Sequence, residues 1–372
     1  MNKIEPVEMV EQPASRTFST GELAVLRTQL EEMDQHTIRV PISAPSDIEL
    51  DGTCCLKESG FRLSPLALQH ICKYTARGLW SLTTDIGGAT RTARSFDQVI
   101  SVPLAAQLIN SCTKLRFRAV DGICGRHMIQ DHLTKTVDGV VGPRYHLLPN
   151  HQLLCSAIEL MADHEIPMVF HSGELIGRRM SLTFLASKAI GQLATGEHLF
   201  GGCYLTNSEA GECGVRGALV LQVAGTQMRC QAPMRRIAHA GKKFMMRLGR
   251  MLTAVLGRWE ALKETAQDTA HLSDPLMTFT GGKLDTGRRR RIESRLAKNM
   301  DTALAEHAMR QALFMGAEGT VVPKSVTQRE IACRTVRDLF IILMRLADGQ
   351  YPDVREALER TAFEVLNKKI QL

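Results

Sequence analysis

The stretch FGGCYLTNSEAGECGVRGALVLQ, residues 200–222, contains two apolar runs joined by a polar turn that includes glycine. In the second run, apolar residues from Val215 to Val223 alternate with Arg216 and Gln222. A period of two is typical of a strand with one face in the core. The stretch therefore predicts an antiparallel β-hairpin, because strands joined by so tight a turn pair in opposite directions.

The turn of this hairpin concentrates polar side chains. Asn207, Ser208 and Glu209 place an amide, a hydroxyl and a carboxylate next to one another, and Gly211 and Glu212 follow. These groups could carry out chemistry, or they could hydrogen-bond amides of the turn's own backbone, as Asn and Ser often do. This stretch alone leaves both interpretations open.

The regions around the hairpin add further helices and strands. Ser64 and Pro65 have the residue types of an N-cap and a first helical position, which predicts a helix from there to about residue 80. Other helices are predicted at residues 97–112 and 151–164, and strands at 115–122 and within 137–150 and 166–186, with a turn at Ser172 and Gly173. These patterns predict the α+β class, with a mostly antiparallel sheet backed by helices and a helical C-terminal region.

The composition suggests three regions along the chain. Residues 1–20 are polar and contain Pro6 and Pro13, which predicts a disordered tail. Residues 21–274 are expected to form the α+β domain, and residues 288–372 the helical C-terminal region. The boundary between these two is drawn near Pro275.

The overall composition is that of a cytoplasmic protein. The chain has 372 residues, of which 44% are hydrophobic and 23% charged, an ordinary balance for a globular protein. No run approaches the roughly 18 apolar residues of a membrane span, and the start of the chain lacks the pattern of a secretory signal. The ten cysteines include no CxxC pair, which indicates reduced thiols. We therefore expect a cytoplasmic protein with no membrane partner.

The net charge of +7 is concentrated in one segment. Met234–Lys263 carries eight Lys or Arg residues and a single acid, Glu260, so the rest of the chain is neutral overall. At about 100° per residue from Ile237, the apolar residues of this segment fall in one arc and its cations in the opposite arc. The segment predicts an amphipathic helix with a cationic row formed by Arg235, Arg236, His239, Lys242, Lys243, Arg247 and Arg250.

The cationic row favours an anionic ligand over a plain solvated face, because solvated helix faces usually mix charges of both signs. Nucleic acid is the leading candidate, since spaced cations match a repeated phosphate backbone. Other candidate contacts lie near predicted strand ends and comprise Arg144, Arg178, Arg179 and Arg216, while Tyr145 could stack on a base or simply be buried.

Recognised catalytic motifs are missing from the sequence. It contains no GxxxxGK[ST] loop, no GxGxxG turn and no HExxH helix. The spacing of its His and Cys residues matches no recognised zinc pattern. We therefore expect no cofactor and no metal, and a binding function rather than an enzymatic one.

Five segments together resemble a phage- and plasmid-associated family known only as a domain of unknown function. They are GPRYHLLPN, GELIGRRMSLTF, FGGCYLTNSEAG, VRGALVLQVAGTQMRC and IAHAGKKF, within residues 137–259. The most specific part is the motif of Asn207, Ser208, Glu209 and Gly211. The resemblance implies a mobile-element origin and an α+β fold, but no established activity.

Single-strand annealing recombinases of phages are similar in plan, with a curved antiparallel sheet, backing helices, a basic groove and ring-like oligomers. By this analogy we expect a mobile-element-encoded protein of the host cytoplasm that binds nucleic acid, preferably single-stranded DNA, in annealing or recombination, and that forms a homo-oligomer. Two alternatives stay open. One is a phage assembly or interaction protein whose basic helix binds an acidic partner, and the other is a metal-dependent nuclease that uses Glu209.

Overall fold

The fold is taken from a computed structural model, which describes residues 15–51, 54–75, 107, 109–111, 122–163, 166–193, 196–224, 229–274, 276, 279–280, 283–284, 286–314, 335–347 and 352–367. Its strands are β1 (Ser15–Ser19), β2 (Thr37–Pro41), β3 (Arg62–Leu63), β4 (His127–Asp131), β5 (Thr136–Val141), β6 (Met168–Ile176), β7 (Arg179–Ala186), β8 (Gly191–Gln192), β9 (His198–Ser208), β10 (Val215–Val223), β11 (Arg229–Gln231), β12 (Arg235–Ile237), β13 (Phe279–Thr280) and β14 (Lys283–Leu284). Its helices are α1 (Leu23–His36), α2 (Pro65–Thr75), α3 (Asn150–Asp163), α4 (Phe244–Leu256), α5 (Trp259–Gln267), α6 (Thr286–Leu296), α7 (Thr302–Phe314), α8 (Val336–Ala347) and α9 (Pro352–Leu366).

The larger of the main sheets is antiparallel and has the strand order β1-β6-β7-β9-β10-β11, with β12 also paired to β10 and β8 to β9. The predicted hairpin is confirmed as β9 and β10, in register with Leu205 opposite Gly217. Val215, Leu219 and Leu221 face the core, as their alternation predicted.

One hydrophobic core lies between this sheet and the helices. Phe244, Leu248 and Val255 of α4 are buried in it, and so are Leu339 of α8 and Leu358 of α9. The predicted α+β class, with an antiparallel sheet, backing helices and a helical C-terminal region, is therefore confirmed.

A second, smaller core belongs to a four-stranded sheet of order β2-β4-β5-β3, in which β3 and β5 run parallel. This small sheet packs with α2 around residues such as Ile48, Leu63, Ile71 and Val140. The α2 helix begins as predicted, because the Ser64 hydroxyl accepts a hydrogen bond from the Ala67 amide at 3.1 Å.

Three expectations about the chain's organisation need correction. Ser15–Ser19 is an edge strand paired with β6, so disorder up to residue 20 is wrong for these residues. Ser172 and Gly173 lie inside β6, and the turn to β7 falls at Gly177 and Arg178. The division near Pro275 does not separate two cores, since helices on both sides of it fill the same one.

The basic helix also begins later than its periodicity predicted. Residues 235–237 form β12, because their backbone pairs with β10, and α4 starts only at Phe244. Most of the predicted helix 97–112 and nearly all of the predicted strand 115–122 lie outside the described residues. Within the described residues, no helix is long and apolar enough to cross a membrane.

Candidate functional site

Asn207, near the end of β9, connects the hairpin to two other elements. Its side chain is fully buried, and Nδ2 donates to the Leu148 carbonyl at 3.0 Å and to Asn150 Oδ1 at 2.8 Å. The Asn150 Nδ2 atom in turn donates to the Arg178 carbonyl at 3.1 Å. Asn207 therefore joins β9 to the start of α3 and to the β6–β7 turn.

The Glu209 carboxylate lies at the N-terminus of α3. Its Oε1 accepts a 2.6 Å hydrogen bond from the Asn150 backbone amide, where the helix dipole favours a negative charge. Burial nevertheless raises the pKa of Glu209 to about 7, and the opposing effects of Arg178 and the Asn150 amide only partly offset it. This carboxyl group is therefore poised to change its charge near neutral pH.

The remaining motif residues also make internal contacts. The Tyr145 hydroxyl donates to the Ser208 carbonyl at 2.7 Å, and Ser208 Oγ accepts from the Glu212 amide at 3.2 Å. Gly211 has a φ of +83°, a conformation that side chains other than glycine rarely adopt. The motif of Asn207, Ser208, Glu209 and Gly211 thus holds the tip of the hairpin in place.

Arg178 lies at the centre of a buried network of charges. It is 4% exposed, and its guanidinium contacts Asp131 at 2.7 Å, Asp138 at 2.6 Å and Glu209 at 3.4 Å. A further hydrogen bond reaches the Met33 carbonyl at 3.3 Å. We call the network of Arg178, Asp131, Asp138 and Glu209 the junction, because it joins the small sheet to the large one.

The junction takes Arg178 out of the candidate phosphate contacts. Burial acts to lower the pKa of the guanidinium, but the charges of Asp138, Glu209 and Asp131 outweigh it and raise the pKa. Burial also raises the pKa of Asp138, which Arg178 only partly counteracts. The expectation that Arg178 binds nucleic acid is therefore corrected, because its donors are committed to internal carboxylates.

Next to the junction, the backbone of the small sheet also packs directly against the tip of the β9–β10 hairpin. An ideal Cβ atom built on Gly139 of β5 would lie 2.3 Å from the carbonyl oxygen of Ala210 at the hairpin tip. No side chain fits in that space. The crowded tip of the hairpin therefore serves as the contact between the two cores.

His239 is not part of the exposed cationic row. Its ring lies 4.8 Å from the Tyr145 ring and 5.3 Å from the Phe244 ring, nearly parallel to both. Burial lowers the pKa of His239 to about 4, so the imidazole is neutral at neutral pH. The predicted roles of His239 in phosphate binding and Tyr145 in base stacking are both corrected in part: His239 is buried, and one face of Tyr145 is already covered.

Three of the predicted arginines have acidic partners. Arg179 contacts Glu212 at 3.0 Å. Arg216 contacts Glu356 of α9 at 3.1 Å, and Arg236 also binds Glu356. The structure therefore weakens the case for these arginines as phosphate contacts, since each already pairs with an acid, although Arg216 and Arg236 share the single charge of Glu356.

The remaining predicted cations are exposed, and within the described residues none of them forms an ion pair. We call this set the basic surface, and it comprises Arg144, Arg235, Lys242, Lys243, Arg247 and Arg250. Three contacts bring its parts together: Tyr145 forms a bridge with Ala240, the His146 amide donates to the His239 carbonyl at 2.8 Å, and the Arg247 guanidinium donates to the Ala240 carbonyl. The basic surface is thus built from β12, the loop before α4, the helix itself and the 144–146 segment.

The start of α4 adds to the positive potential of the basic surface. Lys243 is the N-cap residue and makes no side-chain capping hydrogen bond, and no acid lies in the first turn. The N-terminal end of a helix carries a partial positive charge, so Lys242 and Lys243 add to that charge rather than offset it. An anion bound there would be stabilised by both.

A cavity of about 1100 Å³ opens beside the junction, between α1 and the small sheet. Asp131, Asp138 and Arg178 form part of its lining. All the carboxylate oxygens of Asp131, Asp138 and Glu209 already accept hydrogen bonds from the protein. These three carboxylates therefore require no ligand from the cavity.

The nuclease alternative loses its basis in Glu209, because that carboxylate is bound by Arg178 and the Asn150 amide. In the part of the chain that the structure describes, no group of three His, Cys, Asp or Glu residues could hold a metal ion. Sequence reasoning missed Asp131, Asp138, Asn150 and Glu356. The available signal was weak: Asp131 and Asp138 are charged residues next to apolar runs, and such charges usually require a partner.

No protein-family model, curated protein or solved structure matches this chain.

Proposed function

We propose that this protein binds nucleic acid through the basic surface. The observation that carries the proposal is a group of six exposed cations with no acidic partner among the described residues. Unpaired cations on one surface repel one another, and a polyanion relieves that repulsion while releasing its own counterions. The uncapped start of α4 adds backbone amides that can donate to phosphate.

The same proposal has four further parts. They are a preference for single-stranded DNA, a role in annealing or recombination, a mobile-element origin, and action in the host cytoplasm as a homo-oligomer. The resemblance of residues 137–259 supports the mobile-element origin, and the analogy of an antiparallel sheet with backing helices to annealing recombinases supports the other parts. Light scattering coupled to gel filtration tests whether the protein forms a homo-oligomer. A monomeric mass at all protein concentrations would reject the homo-oligomer.

The second candidate is an assembly protein whose basic surface binds an acidic protein partner. Met245 and Met246 favour it, because they are 41% and 43% exposed between the cations. Apolar side chains of this size suit a protein interface, and methionine adapts to varied surfaces. The same methionines could also contact bases, so the two candidates must be separated by experiment.

The deciding experiment is a fluorescence anisotropy titration of labelled single-stranded DNA, duplex DNA and RNA of one length at two salt concentrations. We expect binding whose affinity falls steeply with salt, by a slope of about 0.7 per phosphate contact on a single strand. Single-stranded DNA should bind tighter than the duplex. Failure to bind any of the three at low salt would reject nucleic acid and favour the acidic partner.

A further inference from the structure

The face of the large sheet away from the core is polar on the side of β1 and β6 and apolar farther along, where Leu185, Tyr204 and Val220 form a small buried cluster. Two rows of neighbouring residues cross β1, β6, β7 and β9 on this face, and every position in them is polar. The first row is Ser19, Ser172, Thr183 and Tyr204, and the second is Thr17, Glu174, Ser181 and Thr206. Outer sheet faces are often polar, but they are usually exposed to water.

The middle of this face is less exposed than an ordinary outer face, whereas Thr17 and Ser19 at the β1 edge are exposed. Thr183 is 3% exposed and Thr206 1% exposed. Residues of both rows line a cavity of about 510 Å³, and Arg355 of α9 and Gln222 also line it. Its volume falls within the range of about 300–1,000 Å³ that small-molecule sites occupy. These polar rows therefore form part of the lining of a cavity of a size that suits a small ligand.

Some of the polar groups hold one another in position. The Tyr204 hydroxyl donates to Ser181 Oγ at 3.0 Å, and Ser181 Oγ donates to Thr206 Oγ1 at 3.3 Å. The side chains of Thr17, Ser172 and Glu174 have no hydrogen-bond partner within the described residues. The floor thus combines a rigid, bonded part with groups that can bind a ligand.

The charges around the cavity favour a neutral ligand. Arg355 lines the cavity together with Glu174, and its guanidinium, which donates from Nε to Glu359 at 2.9 Å, would repel a cationic ligand. The Glu22 carboxylate is engaged by the Ser19 hydroxyl at 2.7 Å. An anion such as phosphate would meet Glu174, and the cations of the basic surface do not line this cavity. A carboxylate can accept hydrogen bonds from both hydroxyls of a vicinal diol in a ligand. The hydroxyls of Thr17 and Ser172 beside Glu174 could bond to the same diol.

We propose that this cavity binds a small neutral ligand with vicinal hydroxyls, the chemistry shared by sugars and ribonucleosides. Glu174 accepts from the diol, Thr17 and Ser172 complete its hydrogen bonds, and Arg355 donates to a ring or carbonyl oxygen. The proposal is independent of nucleic-acid binding at the basic surface.

Saturation-transfer difference NMR on the full chain tests this, with methyl α-D-glucopyranoside, D-ribose, adenosine and 2′-deoxyadenosine as probes. We expect transfer to at least one diol probe and none to 2′-deoxyadenosine, which lacks the vicinal diol. Binding of the glucoside alone would identify sugars, and binding of ribose or adenosine would identify the ribose group. Equal transfer to adenosine and 2′-deoxyadenosine, or no transfer to any probe at millimolar concentration, would overturn the proposal.

The variants Glu174→Gln and Ser172→Ala locate the site. Each variant should lower the affinity for the diol probe by about tenfold or more, because a hydrogen-bonding group of the ligand loses its partner. Glu159→Gln is the matched control, since Glu159 is exposed on α3 away from the cavity lining. Circular dichroism melting checks that each variant is folded. Unchanged affinity in both folded variants would contradict the assignment.

Discussion

At the scale of single residues, the environment separates two adjacent arginines that the sequence could not distinguish. Arg178 and Arg179 were both predicted to contact phosphate. Arg178 lies among three carboxylates in the junction, whereas Arg179 pairs with the half-exposed Glu212. The difference arises because Asp131 and Asp138 come from a hairpin some 40 residues earlier, a distance that no local pattern encodes.

Replacing these two arginines in turn measures the difference. Arg178→Gln should lower the free energy of unfolding by about 3–5 kcal/mol, because it leaves buried carboxylates without their counter-charge. Arg179→Gln should cost about 0–1 kcal/mol, as expected for a pair near the surface. Urea unfolding followed by circular dichroism gives both values. Equal losses in the two variants would show that the junction is not specially stabilising.

The Glu209 carboxyl should make stability depend on pH. Its pKa in the folded protein is raised from the ordinary 4.5 to about 7, so the folded state binds a proton more tightly than the unfolded chain. The free energy of unfolding therefore falls as the pH rises from about 4.5, the ordinary pKa, through about 7, the pKa in the folded protein. Glu209→Gln removes that dependence.

We expect the stability of the parent relative to Glu209→Gln to decrease by on the order of 2 kcal/mol between about pH 5 and about pH 8. Urea unfolding of both proteins at four pH values measures it, and contributions from groups outside the junction cancel in the difference. A difference that stays constant over this range would mean that Glu209 is ionised throughout.

At the scale of elements, the β9–β10 hairpin and α4 show that periodicity predicts which face is buried better than it predicts where an element begins. The alternation of Val215 to Val223 and the apolar arc from Phe244 to Leu262 both predicted buried faces, and both are confirmed. The start of α4 was placed too early because the helical pattern continues back through residues 237–243. Pairing of Arg235–Ile237 with β10 overrides that pattern, and such pairing is a long-range effect.

The contact between the hairpin tip and β5 can be tested with two glycines. Gly139→Ala should lower stability by about 1–3 kcal/mol or more, since the new methyl group would collide with the Ala210 backbone. Gly249→Ala in α4 is the control, and it should raise stability instead of lowering it. No atom lies within 4 Å of its added methyl group, and alanine favours the helix by about 1 kcal/mol. A neutral Gly139→Ala would place the tip away from β5.

At the scale of the whole molecule, two hydrophobic cores meet at the junction, and the basic surface lies on the large-sheet side. Composition predicted a globular chain, the pattern of helices and strands predicted the α+β class, and the distribution of charge placed the excess in residues 234–263. They could not divide those cations into paired and unpaired ones. Glu356, which binds Arg216 and Arg236, lies about 120 residues or more away in the chain.

The proposed function depends most directly on four cations at the start of α4. Replacing Lys242, Lys243, Arg247 and Arg250 by Gln removes four positive charges from exposed positions, so the fold should be retained. A matched control replaces Lys188, Lys298, Arg310 and Arg345 by Gln, which removes the same charge from exposed positions on other elements. Circular dichroism melting should show both variants folded.

The measurement is the affinity of these two variants and the parent for single-stranded DNA across a salt series, by fluorescence anisotropy. The α4 variant should bind at least about tenfold more weakly, and its plot of log K against log salt should be shallower by roughly 0.7 for each lost contact. The control should keep the parent's slope. An α4 variant with the parent's affinity and slope would contradict nucleic-acid binding at the basic surface.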